Sequence, residues 1–219
     1  MTIKVNILKF FLLLIFPFFS YSNNITLGLF SSVNFSTISA TNSNDQFNNG
    51  KGFLPGYDFG LSFENEFDSD YSLVYSIGYT TRGYSTDQLG IRIKSFSKYL
   101  EIPVKIHYKL INGFAFQAGP YFGIALKEFI TNNISKSKSY GKIGNNIYRE
   151  PPDTLKRLDL GVQTALLYNL NKFDLGFVLT LGILNTRPGG GIGSSVRNLS
   201  TQIRLIYNFW KIEKDEKTL

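Results

Sequence analysis

Polarity alternates residue by residue along most of the chain, in approximately eight stretches, and the connections between them switch between long and tight. A period of two belongs to β-strands, because successive side chains point to opposite faces. These observations predict an all-β fold: an eight-stranded antiparallel up-and-down transmembrane β-barrel. Residues 99–110 set the pattern. Leu100, Ile102, Val104, Ile106, Tyr108 and Leu110 take one face, and Tyr99, Glu101, Pro103, Lys105, His107 and Lys109 the other.

The elements follow in order. Lys4 and Lys9 precede the apolar run Phe10–Phe19, and small residues stand at Ser20 and Ser22. This predicts a secretory signal over residues 1–22, cleaved after Ser22. Lys9 leaves the apolar run short of the roughly 20 residues that a spanning helix requires. Strand one is expected at 24–38, with Ile25, Leu27, Leu29, Val33 and Phe35 on its apolar face. A loop rich in Asn, Ser and Gly spans 39–52. Strand two, 54–66, places Tyr57, Phe59, Leu61 and Phe63 opposite Asp58, Gly60, Ser62 and Glu64. Asp68-Ser69-Asp70 forms a tight turn into strand three, 71–83, and a second loop is expected at 84–97.

Strand four, 99–110, turns through Ile111-Asn112-Gly113 into strand five, 114–127; Asn-Gly is a strong hairpin signal. On strand five, Gln117, Gly119, Tyr121, Gly123 and Lys127 are expected on the polar face. Residues 128–156 form the longest loop, with Lys136, Lys138, Lys142, Arg149, Pro151 and Pro152. Strand six, 157–170, passes through the two-residue turn Asn171-Lys172 into strand seven, 173–185. A glycine-rich loop from Arg187 to Asn198 leads to strand eight, 199–210, and Lys211–Leu219 is a charged, frayed tail. The mature barrel is thus 23–210 and the tail 211–219.

Two arguments put the apolar face outward. Eight strands of Leu, Ile, Phe and Tyr would overfill a small barrel's interior. Phe63, Tyr71, Tyr108, Phe114, Tyr168, Phe173, Tyr207 and Phe209 also gather on the apolar face near the short turns, as an interfacial aromatic belt does. An even strand count returns both termini to the short-turn side, which is the periplasmic side of an outer-membrane barrel. Charged residues make up 18% of the chain, below the roughly 25% of a soluble domain.

The polar face becomes the interior filling. Its charges need partners: Glu101, Lys105, Lys109 and Arg204 form one set, with Asp58, Glu64 and Asp159 as further acids. The chain has no Cys and a single His, His107, which excludes thiolate catalysis, disulfides and multi-His metal sites. His107 reads as a hydrogen-bonded interior histidine, far from the outer rim. No GxSxG or Ser–His–Asp arrangement is readable, so no catalytic, cofactor or metal residues are expected. The net charge of +7 is spread over loops and strand ends, with no basic run for nucleic acid.

Tyr99-Leu100-Glu101-Ile102-Pro103-Val104 and, one hairpin later, Gly119-Pro120-Tyr121-Phe122-Gly123 resemble the PorT-like outer-membrane β-barrel family. The resemblance covers residues 24–210. It implies a small integral outer-membrane barrel of the OmpX/OmpA type in a Gram-negative cell. The founding member is linked to protein secretion, and the family has no catalytic residues to carry over. One departure is that Phe209-Trp210 is followed by further residues rather than ending the chain.

The expected function is a non-enzymatic, monomeric outer-membrane barrel whose outer loops, above all 128–156 with Tyr140, Tyr148 and Arg149, meet partners. Outer-membrane lipid and lipopolysaccharide are the expected surroundings, and secretion-system or cell-surface proteins the expected protein partners. The alternatives are a component of a secretion or assembly machine and a membrane-embedded lipid-modifying enzyme.

Overall fold

The computed structural model describes residues 24–41, 50–88, 90–134, 138–146, 148, 152–187 and 195–213. The predicted signal at 1–22 lies outside them, as do Lys136, Arg149 and Pro151 of the longest loop. Among the described residues the strands are β1 (Asn24–Thr41), β2 (Gly52–Glu66), β3 (Tyr71–Gln88), β4 (Ile91–Lys109), β5 (Phe114–Asn132), β6 (Lys138–Gly141), β7 (Leu158–Leu170), β8 (Phe173–Gly182) and β9 (Ser195–Glu213). No helix among them is long and apolar enough to cross a membrane.

Every pairing between the long strands is antiparallel and joins consecutive long strands, and β9 returns to pair with β1. The eight long strands therefore close a ring, which leaves no sheet edge along it. The short β6 stands outside this count, pairing with β5 over Glu128–Thr131 above the reach of β7.

The polarity is inverted relative to a soluble barrel. Polar and charged side chains outnumber apolar ones among the buried residues, while Leu29, Val33, Phe59, Ile106, Leu166, Phe177, Ile203 and many similar residues are exposed. The aromatic belt forms across neighbouring strands near the short-turn end. Tyr71 packs against Tyr108, Phe114 against Tyr168 and Phe173 against Tyr207, at ring-centroid distances of 4.8, 4.9 and 5.0 Å. In the Asn112-Gly113 turn both residues have positive φ, 58° and 80°, which the tight hairpin requires and which Asn and Gly tolerate.

Inward residues are small where a large neighbour crosses. Gly60 pairs with Gly78, and the inward Phe30 ring lies against both. A Cβ on Gly78 would sit 2.5 Å from that ring.

Several expectations need correction. Three strands run on into what reads as loop: β1 to Thr41 rather than 38, β5 to Asn132 rather than 127, and β9 from Ser195 rather than 199. The expected loop 84–97 is strand: Tyr84 pairs with Ser95 and Gln88 with Ile91, so β3 and β4 form one long hairpin. Its alternation fades because a strand beyond the apolar band has no lipid to face and needs no apolar outward row. Strand seven ends at Gly182 rather than 185, where the chain leaves the ladder as Ile183 and Leu184 both donate to the Leu160 carbonyl. The start of the expected tail is strand, with Lys211 and Glu213 paired to Thr26 and Asn24. Finally, Lys127 points outward. The β4–β5 register shifts between Lys98 and Tyr99, so that Lys98 faces Lys127 while Tyr99 faces Ala125. This bulge leaves Leu126 unopposed and reverses the parity of everything after it.

Candidate functional site

The polar filling of the barrel is organised in tiers. At the long-loop end Glu128 is fully buried and its carboxylate is the hub. Ser95 Oγ donates to it at 2.7 Å, Thr154 Oγ1 at 2.5 Å, and Arg187 pairs with it through Nη1. Arg187 also donates to the Thr154 carbonyl at 2.6 Å and lies 5.1 Å over the Tyr84 ring. Burial works against the Arg187 charge, but Tyr84 and the Glu128 carboxylate outweigh it and hold its pKa above the ordinary value. One carboxylate thus fastens β4, the β5–β7 connection and the β8–β9 connection together.

The long connection is consequently not a free loop over its described part. Thr154 and Leu155 donate from their amides to the Lys142 carbonyl, and Gly144 donates to Leu155. Leu155 is buried against Tyr99 and Ala125 inside the mouth. Tyr140 and Tyr148 remain outside, 62% and 90% exposed.

The middle tier is built on Arg82. It pairs with Glu101 and, at 2.7 Å, with Asp159, and lies between the rings of Tyr99 and Tyr121. Asn198 and Tyr121 also donate to Asp159, at 2.8 and 3.2 Å, and Gln163 donates to Glu101 at 2.5 Å. Beside it, Asp58 accepts from Ser32, Asn34 and Thr80, with Arg204 3.8 Å away. Arg82, Tyr99, Tyr121, Gln117, Gln163 and Gln202 are each under 2% exposed. The centre of the ring is therefore packed solid rather than open.

At the short-turn end Lys109 pairs with Glu66, and His107 Nδ1 lies 3.1 Å from Gln117 Nε2 and 3.6 Å from Glu64. Asn169 and Asn208 donate to Asp174 at 2.6 and 2.8 Å. All of these but Gln117 line a cavity of about 550 Å³ that opens at this end.

The four-charge set read from the sequence is thus dispersed. Glu101 pairs with Arg82, Arg204 lies near Asp58 and Lys109 pairs with Glu66, while Lys105 is buried without a hydrogen bond or ion pair to a described residue. Sequence reasoning missed three residues. Arg82 continues the inward series Ser72, Ser76, Gly78 and Thr80, so period two alone would have found it. Glu128 was hidden by the bulge, and Arg187, in a connection between strands, gave no signal. Among the described residues no three His, Cys, Asp or Glu side chains are grouped to hold a metal.

A closed ring of eight strands, apolar outside and polar inside, is the architecture of a membrane barrel, and the sequence comparison agrees. The family model "Outer membrane protein beta-barrel domain" matches residues 18–187. The chain belongs to this family. No curated protein sequence matches it. Among solved structures, this outer-membrane barrel is similar to Ail, the attachment invasion locus protein of Yersinia pestis (13% identity, 86% of this chain and 99% of Ail, TM-score 0.46). It is also similar to Neisserial surface protein A (14% identity, 84% of this chain and 97% of that one, TM-score 0.47). A third similar structure is OprG from Pseudomonas aeruginosa (13% identity, 89% of this chain and 98% of that one, TM-score 0.35).

Proposed function

We propose that this outer-membrane barrel is non-enzymatic and monomeric, and that it presents its long-loop end to the exterior as an interaction surface, with both termini in the periplasm. The observation that carries this reading is the division of labour among the charges. Apart from Lys105, the interior ones are spent on packing: Glu128, Arg82, Glu101 and Asp159 are buried and held by neighbouring side chains. His107 is likewise engaged, with Gln117 and Glu64, at the opposite end from the loops. What remains free to meet a partner is at the long-loop end, where Tyr140 and Tyr148 project outward.

The absence of native cysteine makes the orientation testable. In intact cells a membrane-impermeant maleimide labels Tyr148→Cys, whereas Lys172→Cys is labelled only after the outer membrane is permeabilised. Labelling of Lys172→Cys alone in intact cells would reverse the topology and remove the proposed surface.

A second reading makes the chain a component of a secretion or assembly machine of the PorT type. It is favoured by the Tyr99–Val104 motif and by the cavity at the short-turn mouth. Crosslinks from Lys172→Cys to secretion proteins, with none from Tyr148→Cys, are its expected signature.

A further inference from the structure

The outward wall of β4, β5 and β6 carries three rungs that the barrel itself does not require. Lys94, Thr131 and Lys138 are register partners across these strands, and so are Phe96, Phe129 and Tyr140 one rung below. Below them Lys98 stands directly opposite Lys127. An aromatic rung is thus sandwiched between two cationic ones. The ammonium groups are laid against rings: Lys127 is 4.4 Å from the Tyr140 centroid, Lys138 4.2 Å from Phe129 and Lys98 5.6 Å from Tyr79. Phe96 and Phe129 stack at 5.1 Å.

Like charges directly opposite on neighbouring strands destabilise a sheet. Among the described residues no carboxylate lies within 4.0 Å of Lys94, Lys98, Lys127 or Lys138. The nearby acid Glu128 points inward and is already occupied by Arg187. The bulge at Leu126 is what places Lys127 on this wall. Among the described residues the cluster therefore lacks a counter-anion of its own.

Its height says where that anion comes from. From Tyr108 in the aromatic belt to Lys98 is ten residues of β4, which at about 3.3 Å per residue and a tilt near 40° rises about 25 Å, the height of a barrel's apolar band. Directly below the cations, Leu100 and Ile102 of β4 pair with Ile124 and Phe122 of β5 as an apolar wall. An occupant would have its anionic groups on the lysines and its acyl chains on that wall, which is the chemistry of a lipid rather than of a soluble anion. Two cationic rungs separated by an aromatic one suit a lipid with two phosphates spaced by sugar rings, whose C–H faces pack on aromatic side chains.

We infer that this wall binds the headgroup of a phosphorylated glycolipid of the outer leaflet, with its phosphates held by Lys94, Lys98, Lys127 and Lys138 and its rings over Phe96, Phe129 and Tyr140. The leaflet assignment rests on the orientation proposed above; the chemistry of the site does not. The test uses the full mature barrel, refolded in phosphatidylcholine nanodiscs and offered three probes: bisphosphorylated lipid A, dephosphorylated lipid A and phosphatidylglycerol. Native mass spectrometry counts the lipid retained. The wild type is expected to hold bisphosphorylated lipid A at least about tenfold more tightly than either other probe.

Lys98→Gln/Lys127→Gln and the fourfold Gln variant are expected to lose that preference stepwise. Lys172→Gln, at the opposite end, keeps it. Equal retention of the phosphorylated and dephosphorylated forms by the wild type overturns the proposal without needing any variant. Equal retention of phosphatidylglycerol overturns the glycolipid assignment. Unchanged preference in a folded fourfold variant overturns the site. Reversed cysteine labelling in cells with intact lipid A preference in nanodiscs would instead reject the orientation and leave the site standing.

Discussion

Glu128 shows how a single buried carboxylate can hold three segments that are remote in sequence. Its hydrogen bonds reach Ser95, Thr154 and Arg187, and every one of these donors belongs to a different part of the mouth. Removing one partner of a buried pair leaves an uncompensated charge, which costs about 3–5 kcal/mol, whereas replacing both by apolar groups is far milder. Arg187→Leu and Glu128→Leu are each expected to lower markedly the temperature at which the folded, fast-migrating form disappears on unheated gels. The double variant recovers most of the loss, and additive losses would show that the pair is not a unit. The same logic marks what could be read beforehand. Polarity and period two placed Asp58, Glu101, Asp159 and Arg204 inside. They could not say who pairs with whom, because partners on a closed ring are set by register and barrel shear, which no single strand encodes.

At the level of strands, boundaries were legible inside the apolar band and illegible above it. Within the band each strand must show lipid one row of apolar side chains, and that row is what alternation detects. Above the band, Tyr84–Gln88 and Ile91–Ser97 pair just as regularly, but without an apolar row they read as loop. The bulge on β5 is a second limit, since one inserted residue exchanges inside for outside with no mark in composition. Deleting Leu126, the unopposed residue, is expected to close the bulge while leaving Lys127 outward opposite Lys98 and Glu128 inward, so that the mouth tier and the folded gel form are kept. A deletion variant that loses heat-modifiable migration would show that Leu126 is needed for more than register.

For the whole molecule, closure is the decisive property, and it rests on the β1–β9 seam. Ser39 and Arg197 are register partners on that seam and both are exposed. Directly paired antiparallel residues lie about 4.5–5.5 Å apart between Cα atoms, within the span of a disulfide. Ser39→Cys/Arg197→Cys is therefore expected to crosslink within one chain under mild oxidation and to resist unfolding on heating until reduced. Crosslinks only between chains would mean that the ring is opened or exchanged. Short turns, belt and even strand number had already indicated a ring. The sealed mouth had not been foreseen, because it depends on Leu155 and Arg187 from two connections whose sequences carry no periodicity.

The seam also governs the order of assembly. Asp58 belongs to the second strand and Arg204 to the last, and the β1 and β9 residues they approach are partners only once the ends of the barrel meet. Until β9 docks, that side of the nascent sheet carries unneutralised charge and unpaired backbone groups, neither of which tolerates hydrocarbon. Contacts between segments so distant in sequence are also the slowest to form. The chain must therefore wait in a half-open, hydrated state at the membrane surface, and commitment to the bilayer becomes a single late event triggered by its final strand.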